Sequence, residues 1–148
     1  MSDAIVMEFE AITDSHFRQA LGRFPSGVTV ITAMQDGQLH GMTCSAFLSV
    51  SLRPPLVLVS VGKNTQMHGV LQAAKTFGVS ILARDQAHWS NHFAGRPHHE
   101  PPSFREFADQ SWVDDACVQF LLNQHSVVDA DAKPLVYHTG AYGEVARH

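Results

Sequence analysis

Cysteine is scarce in this chain. Its 148 residues hold only Cys44 and Cys117, widely separated and in no C-x-x-C pair, which excludes a disulfide framework and fits reduced thiols in the cytosol. No run of about eighteen consecutive apolar residues occurs, so no membrane-spanning helix is expected. The first residues carry Asp3 where a secretory leader is basic, and Glu8 breaks their apolar run, so no signal peptide is expected and the cytoplasm is the expected location. Basic residues are also few. Ten Lys and Arg are scattered against fourteen Asp and Glu, for a net charge of −4, and without a clustered basic surface a nucleic acid partner is not expected. Neither G-x-G-x-x-G nor G-x-x-x-x-G-K-[ST] is present, which removes the Rossmann and P-loop nucleotide sites. Internal repeats and low-complexity tracts are absent as well.

The composition that remains is ordinary: 45% hydrophobic and 16% charged, enough to bury a core in one domain spanning residues 1–148. A short helix is predicted where Asp14 can cap it; Phe17, Leu21 and Phe24 share one face that needs a core to cover it, and Pro25 stops it. Val28 to Ala33 is rich in β-branched residues and meets Asp36-Gly37, a hairpin signal. The return strand should run from Leu39 through Thr43 to Ser51. Arg53-Pro54-Pro55 then forces a turn, and Leu56 to Val61 reads as a strand buried on both faces.

Gly62-Lys63-Asn64-Thr65 leads into a helix capped at Asn64 or Thr65, with Met67, Val70, Leu71 and Ala74 as its buried stripe. Thr76 to Leu82 alternates Phe77, Val79 and Ile81 as a strand does. A helix from Asp85 to about Gly95 puts Trp89 and Phe93 on one face, and Arg96 to Pro102 is a surface loop. Asp114 to Gln124 satisfies neither the helical nor the strand period, and Pro134 to His138 reads as a strand closed by Gly140 to Gly143. Strands in pairs with helices between hairpins, and no sustained β-α-β alternation, point to an α+β antiparallel barrel.

Two segments carry candidate chemistry. From Thr43 to Ser51 small side chains at Thr43, Cys44, Ser45 and Ala46 let the backbone come close to a planar ligand, and hydroxyls at Thr43, Ser45, Ser49 and Ser51 can bond it; an exposed Thr/Ser-rich edge strand has the same composition. From Ser60 to Thr65, Gly62, Lys63, Asn64 and Thr65 combine a cation with a helix start whose N–H groups suit a phosphate, although a capped helix beside a lysine looks the same. The pairs His88/His92 and His98-His99 with Glu100 lack zinc-site spacing, so no metal site is expected. No basic neighbour in sequence activates Cys44 as a nucleophile.

Three blocks, Phe24-Pro25-Ser26-Gly27-Val28-Thr29-Val30-Ile31-Thr32, Gly41 through Val57, and Phe93-Ala94-Gly95, resemble the FMN-binding split-barrel flavin reductases, the small components of two-component flavin-dependent monooxygenases. The resemblance covers residues 14 to about 96. It implies an antiparallel split β-barrel of Greek-key type with short flanking helices, a homodimer, and hydride transfer from NADH or NADPH to FMN or FAD, the reduced flavin diffusing to a partner monooxygenase. By the same resemblance Thr43, Cys44 and Ser45 line the isoalloxazine and ribityl, Ser60 to Thr65 take the phosphate side, and Phe93 to Gly95 form a loop closing over the flavin. The tail from Pro134 to Gly143 is similar to the family's closing segment.

One departure stands out. Members of the family carry a Gly-Asp-His hairpin before that closing segment, whereas residues 123–133 here are too short for it and no Gly-Asp-His occurs. His125 is a candidate for its displaced equivalent. The missing histidine predicts flavin binding with weak turnover, and it keeps open the alternative of a non-catalytic flavin carrier; no general acid is assigned.

Overall fold

The computed structural model of the chain describes residues 11–74, 76–96, 132–143 and 145. The expectations placed on residues 97–131, including those for His98-His99-Glu100, Cys117 and His125, lie outside them. Three helices and eight strands are described: α1 (Asp14–Gly22), β1 (Ser26–Gly27), β2 (Thr29–Gln35), β3 (Gln38–Cys44), β4 (Phe47–Leu52), β5 (Pro55–Val59), α2 (Gln66–Ala73), β6 (Phe77–Ile81), α3 (Ala87–Phe93), β7 (Val136–His138) and β8 (Ala141–Gly143). All pairings are antiparallel. The strands form three sheets, ordered β3-β2-β6, β1-β7-β8 and β4-β5, which makes the fold α+β with antiparallel sheets and few helices.

β2 organises the core. It pairs with β3 through the Asp36-Gly37 turn, where both residues take positive φ as a two-residue hairpin requires, and on its other edge with β6. Both of its faces are covered. Val30, with Val28 just before the strand, packs among Leu82, Trp89, Phe93 and Leu135. One residue out of phase, Ile31 meets Cys44 and Val79 while Ala33 meets Met67 and Val70 of α2. This period-two division is why β2 tolerates no polar outward face. Of the stripe predicted on β6, Val79 is buried but Ile81 faces outward at the edge of the sheet.

The predicted α2 forms as expected, with Thr65 as its cap and Met67 and Val70 buried. At α1 the cap is Thr13 rather than Asp14: its hydroxyl accepts the His16 N–H, and Asp14 instead places its charge in the first turn, where it favours the helix dipole. The stripe of Phe17, Leu21 and Phe24 is not covered, and Phe24 is 77% exposed.

The return strand is not continuous from Leu39 to Ser51. It breaks at Ser45-Ala46, where β3 leaves the first sheet and the chain turns into the β4-β5 hairpin. Nor is the segment from Leu56 onward buried on both faces. Among the described residues β5 pairs only with β4, and Leu56 and Leu58 point away from the core together with Leu48, Val50 and Leu52. The tail strand forms as expected: β7 turns through Thr139-Gly140, both at positive φ, into β8. β7 also pairs with β1, and the N–H of Leu135 donates to the carbonyl of Leu82 at 2.9 Å.

Candidate functional site

The two segments singled out in the sequence meet. The Ser60 N–H donates to the Ala46 carbonyl at 3.0 Å, and the Cys44 thiol lies 3.8 Å from the Ser60 carbonyl. Around this junction Ser45, Ser60, Gly62, Lys63, Asn64 and Thr65 are all exposed. Beside it β3 runs against the start of α2, and His40, Gly41, Met42, Thr65, Gln66 and Met67 line a cleft of about 220 Å³. Small-molecule pockets usually measure about 300–1,000 Å³, so this cleft suits one portion of a ligand that extends along the rim.

The approach to α2 is tightly folded. Thr65 donates its N–H and its hydroxyl to the Gly62 carbonyl at 3.0 and 2.7 Å, and its hydroxyl oxygen accepts the His68 N–H at 3.3 Å. This leaves the first-turn N–H groups of Gln66 and Met67 without intrahelical acceptors, and Lys63 stands on the same turn. A Cβ added at Gly62 would lie 3.5 Å from Thr65 Cγ2, an ordinary contact, so that glycine is not demanded by crowding within the chain.

The side chains of Thr43 and Cys44 turn inward, so the Thr43 hydroxyl that was expected to be free for a ligand is engaged within the chain. The Thr43 hydroxyl donates to the Ser90 carbonyl of α3 at 2.6 Å, and the Thr29 hydroxyl donates to the Cys44 carbonyl at 2.6 Å. Burial pushes the Cys44 thiol above its ordinary pKa, against a smaller lowering by the Ala46 N–H, so it is not an activated nucleophile. What this stretch offers outward is Ser45 and the backbone around it. Phe93 also differs from expectation. It is the last residue of α3 rather than part of a loop, buried with its ring stacked on Trp89 at 6.2 Å and met edge-on by His92 at 4.8 Å. The turn that ends the helix is Ala94-Gly95, with Gly95 at φ +71°.

The structure adds residues that the sequence reading passed over. His40, Met42 and Gln66 line the cleft, and their only sequence signal was proximity to the two chosen segments. Tyr142, Ser90 and Asn91 form a hydrogen-bonded group behind Thr43; they are distant in sequence, and no local pattern joins them. Among the described residues no group of three or more His, Cys, Asp or Glu is placed to hold a metal, and no helix is long and apolar enough to cross a membrane.

A flavin nucleotide presents a phosphate, a hydroxylated ribityl chain and a planar ring. The donor set fits it: a cation and free helix N–H groups for the phosphate, Ser45 and Ser60 for hydroxyls, and an accessible backbone at Ser45-Ala46 for the ring edge. No buried side-chain nitrogen or oxygen among the described residues lacks a partner.

Fold and rim together define an antiparallel α+β domain with a donor-lined edge suited to a phosphorylated planar molecule, and known proteins of this shape agree. The flavin reductase PheA2 superposes with a TM-score of 0.72 at 32% identity, over 92% of this chain and all of that one. Residues 21–131 match the flavin reductase like domain, and the chain belongs to that family. It is 38% identical to an NADH-dependent flavin reductase from a Rhodococcus species, over 88% of this chain and 86% of the relative. It is also 48% identical to the reductase component of 4-hydroxyphenylacetate 3-monooxygenase from Thermus thermophilus, over 55% of this chain and 54% of the relative. The chain thus spans most of the first relative and about half of the second.

Proposed function

We propose that this chain is an NADH-dependent flavin reductase that supplies reduced flavin to a partner monooxygenase in the cytoplasm. The observation that carries the reading is the near full-length similarity to the Rhodococcus NADH-dependent flavin reductase; the Thermus reductase component supports the monooxygenase partner. The bound flavin supplies the redox chemistry by accepting hydride from the nicotinamide. The chain's own task is to bind, orient and partly desolvate the two rings. In this reading Lys63, Asn64, Thr65 and Gly62 hold the phosphate with the first turn of α2, Ser60 and Ser45 bond the ribityl or the ring edge, and the backbone from Thr43 through Cys44 to Ser45 lies along the isoalloxazine. Phe93 acts from beneath, as a packed support for α3.

Three further features belong to the same proposal. Residues 1–148 act as a single domain. The three sheets are parts of one split β-barrel. The functional unit is a homodimer, supported by the outer face of the β4-β5 hairpin, where Leu48, Val50, Leu52, Leu56 and Leu58 are all exposed and an apolar surface of that kind on a two-stranded hairpin calls for a partner.

The experiment is steady-state oxidation of NADH by purified protein with FMN or FAD added, followed by loss of nicotinamide absorbance. Saturable turnover with either flavin is expected. Stoichiometric flavin binding without NADH oxidation would replace the reductase with a carrier.

A further inference from the structure

Tyr142 of β8 sends its hydroxyl into the C-terminal half of α3, where it lies 2.9 Å from Ser90 Oγ and 3.1 Å from Asn91 Oδ1. A phenol has one proton, and it is given to Asn91, so the bond to Ser90 runs the other way: Ser90 donates and the Tyr142 oxygen accepts. Arg96 Nη1 donates to the same Asn91 oxygen at 3.4 Å, which fixes the orientation of the amide. Ser90 is 1% exposed, and its carbonyl is the acceptor for the Thr43 hydroxyl at 2.6 Å. One residue of α3 is therefore held from β8 through its side chain and holds the end of β3 through its backbone. Ser45 is two positions beyond Thr43, on the exposed rim.

We propose that Tyr142 is a positioning residue for the Thr43–Ser45 segment, acting through Ser90 to set the backbone against which the flavin ring lies. This rests on the flavin-reductase reading above. The physical reason is that the Ser90 hydroxyl has lost its water and depends on the phenol. Without that acceptor a buried donor is stranded, the last turn of α3 shifts to satisfy it, and the carbonyl that Thr43 holds moves with the turn. The Tyr142 ring packs independently of this, 5.5 Å from Tyr137 and against the core around Trp89, so Tyr142→Phe removes the hydrogen bonds and keeps the packing.

The test compares wild type, Tyr142→Phe, Thr43→Val, Thr43→Ser and the double variant Tyr142→Phe/Thr43→Val. FMN affinity is read by flavin fluorescence, and kcat is separated from KM for flavin. Tyr142→Phe should raise the FMN Kd and the flavin KM together, roughly five- to twenty-fold for one stranded buried donor, with kcat within about twofold. Thr43→Val should reproduce this and Thr43→Ser should restore wild-type binding. The double variant should fall well short of the product of the singles, because both cut the same path. A lowered melting temperature with wild-type Kd and KM would reduce Tyr142 to a structural tie and overturn the inference, as would fully multiplicative effects.

Hydrogen exchange in flavin-free protein separates this from the function itself. Faster exchange from Thr43 to Ala46 in Tyr142→Phe is expected, and unchanged exchange there overturns the inference. Wild-type protein that binds no FMN but shows the exchange response instead overturns the flavin reading and leaves the coupling through Ser90 standing.

Discussion

β2 and the β4-β5 hairpin have similar vocabularies, short runs of Val, Leu, Ile and small residues, and opposite surroundings. In β2 every residue from Thr29 to Ala33 is buried. In the hairpin none is, and Leu52 at the turn is 83% exposed. Both edges of β2 are paired and both faces covered, whereas among the described residues β4 and β5 pair only with each other, with Phe47 and Val59 packed inward and the leucines of the opposite face exposed. An apolar pattern therefore reports that a surface is destined for burial without saying by what. For β2 the partner lies within this chain. For the hairpin it lies outside the described residues, and a second copy is the proposed occupant.

The sharpest way to break this contrast is to remove a side chain from each region. Trp89→Ala empties the space under Val28 and Val30 and should cost about 3–5 kcal/mol in urea unfolding, as large core truncations do; a loss below about 1 kcal/mol would show that the β2 core is not the principal one. Changing Leu48 and Leu58 together to Ser should leave the unfolding of dilute protein nearly unchanged and weaken self-association roughly a hundredfold, since each leucine loses up to about 1.5–3 kcal/mol of burial across an interface. Sedimentation over a concentration series reads the result, and an unaltered dimer, or a wild-type protein that is monomeric throughout, removes the hairpin as the interface.

Smaller effects sharpen the boundary where the two regions join. Lys63→Ala should weaken FMN about tenfold and leave riboflavin, which has no phosphate, untouched; equal losses for both ligands by fluorescence titration would move the phosphate elsewhere. At Cys44 the pH dependence has a definite sign. Burial raises the thiol pKa in the folded state, so its contribution to stability is complete below the ordinary thiol value of about 8.5 and is lost as pH rises through the raised value. Unfolding free energy should fall more steeply above that pH in wild type than in Cys44→Ala, and parallel profiles would place the thiol in water.

Local chemistry was the legible part of the sequence. The Asp36-Gly37 hairpin, the Thr65 cap with Met67 and Val70 below it, and Trp89 and Phe93 on one face of α3 follow from spacings of a few residues, and all are found. The meeting of the Ser45 and Ser60 segments was legible only through a family resemblance. Hidden from the sequence were the destinations of side chains whose partners are far along the chain. Thr43 looks like a free hydroxyl until Ser90 is beside it, and nothing near Tyr142 announces its bond to α3. The stripe on α1 was read correctly as an apolar face, whereas Leu56 to Val61 was read as buried on both faces and the leucines of β4 were not singled out; their exposure could not be foreseen, because periodicity does not distinguish a fold's own core from a partner's.

The pairing of β7 with β1 also bears on the order in which the chain folds. Ser26 faces Tyr137, Leu135 enters the core beside Val28 and Leu82, and the Thr139 N–H donates to the Gly22 carbonyl at 2.8 Å, so these contacts close a loop containing most of the chain. Closing so long a loop is slow and carries an entropic penalty that local hairpins avoid. On a ribosome, the β2-β3 hairpin can form while its Val28–Val30 face still waits for a strand not yet made. In that interval the Val28–Val30 face is open to water, and transiently exposed apolar surface of this kind favours aggregation.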